Sequence, residues 1–238
     1  MIDAFTMFVN DFDVTQNSIK RKYDHSLRVQ KRCEEIARSE KLSDKEYRLA
    51  SVIGLLHDYG RFYQWRDYKT FNDRKSVDHG DFAVYKLFDN KEIENYYTDI
   101  NDYEIIYEAI KYHNKYIVPD DVSSRLMCNI VRDADKIDII YQHVIGDFSN
   151  QGKGVISKNV MDTFNKHLLI NSIDVVAEAD KLIRTIALIF DLNFKYSYKY
   201  LKDNMIIEKL FSKLSEKEKF KSYFDEIEKY IERKIGDE

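Results

Sequence analysis

Apolar residues recur at helical intervals along most of the chain. From Thr15 to about Ser39, Ile19, Tyr23, Leu27, Val29, Ile36 and Ala37 recur at roughly helical intervals, which predicts a long helix. Lys41-Leu42-Ser43 breaks it. Ser43 followed by Glu46 forms the spacing of a capping box, which opens a second helix from about Asp44 to His57. Gly60 is read as the left-handed stop that ends it. Residues 62–76, with Phe62, Tyr63, Trp65, Tyr68 and Phe71, read as an irregular aromatic loop. Loops of that length in a small domain more often carry function than merely connect. Further helices are expected over about 77–88, 103–113 and 123–145, with Pro119-Asp120 interrupting before the last of these. That last segment is strongly amphipathic, through Leu126, Ile130, Val131, Ala134, Ile137, Ile140 and Val144. Gly146 to Gly154 reads as a connection, and helices follow near 157–168, 174–191, 194–203 and 205–235, the last broken near Ser215.

Composition supports helix throughout. The chain of 238 residues has one Pro and 7 Gly, and its 18 Tyr and 14 Phe fall mostly at helical spacing. No repeat or Pro/Gly/Ser-rich linker divides it, so one all-α domain is the simplest expectation, with a core over about 20–145 and a helical extension over about 150–238.

The formal charge of −4 is mild and well mixed, without the basic stripe that binding a nucleic-acid duplex requires. Cys33 and Cys128 do not resemble a disulfide framework, and both are expected to be buried and inert. The N-terminus has no basic-then-apolar leader, and no apolar run reaches the roughly 18 residues of a membrane span. A soluble cytoplasmic protein is the resulting expectation.

Chemistry is concentrated before residue 136. His57-Asp58 ends the second apolar helix, and His25, His79, His113 and Asp135 each lie in a separate predicted helix or helix end. Helices converging in a bundle can aim such groups at one interior point. Four imidazoles exceed the needs of an oxygen-rich calcium site, and a structural zinc site would more often use thiolates. The set suits one or two Fe, Mn, Co, Ni or Zn ions with positions left for water. His143 and His167 lack comparable flanks and are read as structural. Asp133 and Asp138 are read as exposed or helix-stabilising.

In order and in flanking residues, the set resembles the HD-domain superfamily of metal-dependent phosphohydrolases. Tyr23-Asp24-His25-Ser26-Leu27-Arg28-Val29 resembles the family's first histidine helix. Gly54-Leu55-Leu56-His57-Asp58-Tyr59-Gly60-Arg61 is similar to its LLHDIGK signature, with Tyr for Ile and Arg for Lys. Asp78-His79-Gly80, Ala109-Ile110-Lys111-Tyr112-His113-Asn114 and Arg132-Asp133-Ala134-Asp135-Lys136-Ile137-Asp138 resemble the remaining motifs.

The resemblance implies an HD-like helical bundle with additional C-terminal helices. It assigns His25, His57, Asp58 and Asp135 to a first metal, and His79 and His113 to a second bridged by Asp58. The presence of both middle histidines favours two ions. The implied reaction is hydrolysis of a phosphate ester, a nucleotide above all, by a metal-activated hydroxide. Asp58, Arg61 and Lys136 are its catalytic candidates, the two cations as phosphate contacts. The aromatic segment is a candidate for stacking on a base or covering the site.

The Gly-Tyr-Pro motif of the cyclic-dinucleotide phosphodiesterases is missing, since Val118 precedes the single Pro. The Glu-Asp pair of the alarmone hydrolases and the Glu of the 5′-nucleotidase type do not follow Asp58 either. Two other readings share the ligand set: a diiron oxygenase, and a non-catalytic nucleotide-binding module. A homodimer is compatible with either.

Overall fold

The computed structural model describes residues 1–146 and 152–236. Among them every regular element is helical: α1 Ile2–Asn10, α2 Asn17–Ser39, α3 Asp44–Leu56, α4 Tyr59–Tyr68, α5 His79–Val84, α6 Tyr103–Tyr112, α7 Arg125–Ile145, α8 Lys158–Asn165, α9 Glu178–Ala187, α10 Lys195–Asp203, α11 Ile206–Ser212 and α12 Lys217–Gly236. Short 3-10 and π turns join several of them. The residues fall into two compact units, Met1–Ala134 and Asp135–Glu238, so the passage from one to the other lies inside α7. The sequence reads 146–154 as a connection between helices, of which 147–151 lie outside the described residues and 152–154 are non-helical.

In the first unit, α2 and α3 form the longest packed pair. Gly54 allows their close approach, since a Cβ there would lie 2.7 Å from Cys33 Sγ and 2.9 Å from the Gln30 Cα. The capping box at Ser43 forms as expected. Its hydroxyl accepts from the Glu46 backbone N–H, and the Glu46 carboxylate accepts from the Ser43 N–H at 2.9 Å. Both cysteines are free and buried, and burial pushes the Cys128 thiol up to about 11.

Two local expectations are corrected. Gly60 is not a left-handed stop. α3 ends at Leu56, and after a turn through His57 and Asp58 the chain re-enters helix at Tyr59 with Gly60 inside α4. Residues 62–68 are therefore helix and not loop. The aromatic side chains that lower local helix propensity are retained in α4 by tertiary packing. Phe62 is fully buried against Phe5 and Phe8 of α1, a helix that the sequence pattern does not announce. The Tyr63 hydroxyl donates to Glu92 at 2.8 Å, and Trp65 donates its indole N–H to Gln16 at 2.7 Å. Most of this segment is framework for the first unit and not an aromatic cover.

The second unit has its own core, built on Phe164, Leu182, Ile186, Leu210, Phe220 and Ile227. The region read as one broken helix over 205–235 is resolved into α11 and α12. Asp180, fully buried, organises the start of α9. Its carboxylate accepts from the backbone N–H of Ser157, Val176 and Ala177 at 2.7, 2.9 and 3.0 Å, and from the Ser157 hydroxyl at 2.7 Å. Burial alone would raise this carboxyl, but those donors hold it below its ordinary value.

A lowered folded-state pKa stabilises the protein above the unfolded carboxyl value of ~3.9, and that contribution fades as pH falls through the folded value. Asp180→Asn is accordingly expected to destabilise the fold by ~2–3 kcal/mol at neutral pH. Urea unfolding of both proteins should show that gap narrowing below pH ~3.9, whereas a gap independent of pH would contradict the assignment.

Candidate metal centre

Four helices of the first unit bring five of the six expected ligands together. His25 lies in the middle of α2, His57 and Asp58 occupy the turn after α3, His79 opens α5, and His113 caps the end of α6. All five are buried. Asp78 fixes the start of α5 by accepting from the backbone N–H of Gly80 and Asp81 at 3.0 and 3.1 Å, which sets the direction of the His79 ring.

The histidines meet in pairs around Asp58. The Nε2 atoms of His25 and His57 are 3.1 Å apart, and so are those of His79 and His113. Asp58 lies between the pairs. Its Oδ2 is 3.3 Å from His25 Nε2 and 3.7 Å from His57 Nε2. Its Oδ1 is 3.5 Å from His79 Nε2 and 3.8 Å from His113 Nε2. One carboxylate oxygen thus faces each pair.

The tautomers of three rings follow from their second nitrogens. His57 Nδ1 is 2.8 Å from the Gly54 carbonyl, and His113 Nδ1 is 2.6 Å from the Ile110 carbonyl. A carbonyl only accepts, so each Nδ1 carries the proton. His79 Nδ1 donates to Asp73 Oδ2 at 2.6 Å. All three rings therefore direct an Nε2 lone pair inward. Lone pairs of His79 and His113 at 3.1 Å repel unless a cation lies against both. Nitrogen and oxygen donors converging this way, with the far nitrogens fixed by carbonyl or carboxylate, fit first-row divalent metals.

Electrostatics agree. Burial would raise the Asp58 carboxyl, but the Lys22 ammonium foremost holds it well below the usual carboxylate range. Burial, reinforced by the Arg61 guanidinium, lowers His79 against the opposing pull of Asp73 and Asp58, and so favours the neutral imidazole that a metal needs.

Asp135, half-buried, follows Ala134 directly on α7 and is the first residue of the second unit. Lys136 is buried and forms an ion pair with Asp191 at 2.7 Å. Arg61 lies beside Asp58. Its Nε is 3.6 Å from Asp58 Oδ1, buried, and without a hydrogen-bond partner. Its Nη1 donates to Gln64 Oε1, the Phe71 carbonyl and Asp73 Oδ1, each at 2.7 Å.

The other two histidines serve the second unit. His143 approaches the Thr185 hydroxyl at 3.5 Å, and His167 pairs with Glu226 at 3.0 Å. Asp133 and Asp138 are buried, not exposed. Each stands on the buried side of an amphipathic helix, where spacing had suggested only a charged neighbour of Asp135.

Two residues at the centre escape the sequence reading. Lys22 donates to Asp58 Oδ2 at 2.6 Å. It stands one helical turn before His25, so the i, i+3 spacing was the available signal. Asp73 joins His79 to Arg61 and Gln64 from a segment without periodicity, and nothing in the pattern marks it.

Among the described residues, no helix is long and apolar enough to cross a membrane. None of the curated proteins and none of the solved structures matches this chain. The HD domain family matches residues 23–140, a span that includes every paired histidine, Asp58 and Asp135. With that match laid over paired histidines around a shared carboxylate, the chain belongs to the HD-domain superfamily.

Proposed function

We propose that this protein is a metal-dependent phosphohydrolase with a two-metal centre, acting on a phosphate ester of the nucleotide class. The observation that carries the reading is Asp58, whose two oxygens face separate histidine pairs. A carboxylate that bridges two ions would use both oxygens in this way. In this assignment His25, His57 and Asp58 hold one metal and His79, His113 and Asp58 the other. Asp135, one residue beyond the first unit on α7, completes the first set as the family pattern implies.

Divalent ions bound there polarise phosphoryl oxygens and lower the pKa of bound water toward ~7. The chain's own groups do the rest. Asp73 and the Gly54 and Ile110 carbonyls hold the imidazoles in the ligating tautomer. Arg61, anchored through Nη1, keeps a positive charge and an unpartnered Nε beside Asp58, suited to an anionic substrate. Lys136, the other phosphate contact that the family resemblance implies, is paired with Asp191.

His79→Ala and His113→Ala are each expected to lower bound metal from about two ions per chain to about one. Elemental analysis after loading with Mn, Fe, Co, Ni or Zn measures this, and equal content in both variants and the wild type would contradict the two-metal assignment. The same loaded samples, screened against phosphomonoesters, phosphodiesters and nucleotides, test the reaction class. Phosphate release is the expected result. Oxygen uptake with an iron-loaded sample and no phosphate release would replace the reading with an oxygenase. Tight nucleotide binding without turnover under any metal would replace it with a binding module.

A further inference from the structure

Lys22 belongs to none of the superfamily motifs in the chain, yet it contacts Asp58 directly. Its ammonium donates to Asp58 Oδ2 at 2.6 Å, on the side of the carboxylate that faces His25 and His57. Its side chain is 17% exposed, so the stem reaches inward from the protein surface. A divalent ion that used Oδ2 would be a second cation on the same oxygen, and the two would repel strongly in a buried site. A metal held at the first position would therefore compete with Lys22 for Asp58.

Phe71 lies beside both cations: Lys22 Nζ is 5.6 Å and the Arg61 guanidinium carbon 5.9 Å from its ring centroid. Arg61 cannot move in the same way, because Gln64, Asp73 and the Phe71 carbonyl hold its Nη1. The centre thus has one fixed cation and one tethered, displaceable cation on the same aromatic residue.

We propose that Lys22 is a dual-position phosphate ligand: it neutralises Asp58 before metal binds, and after metal binding it takes an oxygen of the substrate's phosphate. This rests on the phosphohydrolase reading and adds to it the residue that couples metal loading to phosphate capture. No bond is made or broken by Lys22; its ammonium exchanges a carboxylate for a phosphoryl oxygen and stays protonated.

The proposal predicts opposite effects on two ligands from one substitution. Isothermal titrations of the full chain with Mn²⁺, and of the Mn-loaded chain with inorganic phosphate, would compare wild type with Lys22→Met, which keeps the aliphatic stem and removes the charge. Mn²⁺ is expected to bind more tightly to the variant, because its competitor is gone. Phosphate is expected to bind about tenfold or more weakly, because a charge-assisted hydrogen bond is lost. Simple damage to the site would weaken both.

Lys22→Gln provides the same two readings with a polar side chain, should Lys22→Met fail to fold. Unchanged phosphate affinity, or weaker Mn²⁺ binding, overturns the proposal while leaving the phosphohydrolase reading in place. A Mn-loaded wild type that binds no phosphate and hydrolyses no phosphate ester overturns both.

Discussion

Asp58→Ala is expected to reduce metal content to below one ion per chain and turnover by on the order of 10³-fold or more, ~4 kcal/mol on the barrier. The reason is positional. Each of its oxygens serves a different histidine pair, so a single truncation opens both positions. It also leaves the Lys22 ammonium without its Asp58 partner. Lys22 retains a path to solvent, so the fold should tolerate the change better than the site does. Asp58→Asn, which preserves shape and removes charge, should show the same loss. Wild-type metal content and turnover in either variant would refute the role given to Asp58.

Gly60→Ala should damage both the fold and the second metal position. A Cβ on Gly60 would lie 2.4 Å from the His79 carbonyl oxygen and 2.7 Å from the Ala83 amide nitrogen. Both are backbone atoms of α5, which no rotamer change can move aside. α4 and α5 would have to separate, and overpacking of this kind destabilises by ~1–3 kcal/mol. His79 is carried on the backbone that must shift, so its ring would leave the position facing His113. A lower urea midpoint together with a fall in metal content is the expected pair of results. An unchanged midpoint and unchanged metal content would show that the contact between α4 and α5 is more yielding than its geometry indicates.

The same glycine shows where sequence reasoning reached its limit. Gly after an apolar helix ordinarily marks a left-handed exit, and an aromatic run after it ordinarily marks the end of helix. Both inferences are local. What decides the conformation at Gly60 is the α5 backbone, about 20 residues further along the chain. What holds Phe62 in a helix is α1, more than 50 residues earlier. Neither partner can be inferred from spacing within α4.

The regular parts were legible because their causes are local. The capping box at Ser43 and the apolar faces of α2, α3 and α7 place those helices within a few residues of their observed ends. The candidate ligands were legible as an ordered set with distinctive flanks, and the structure brings His25, His57, Asp58, His79 and His113 together. Lys22 and Asp73 were not, because each acts through one contact with a distant or non-periodic partner. Lys22 meets Asp58 across 36 positions, and Asp73 meets His79 from a segment with no helical face.

The central claim is that Asp58 is shared by two metals. An anomalous difference map from crystals of the wild-type protein grown with Mn²⁺ tests it most directly. Two peaks are expected, one against His25 and His57 and one against His79 and His113, with the Asp58 carboxylate between them. A single peak, or none beside the His79–His113 pair, would contradict it.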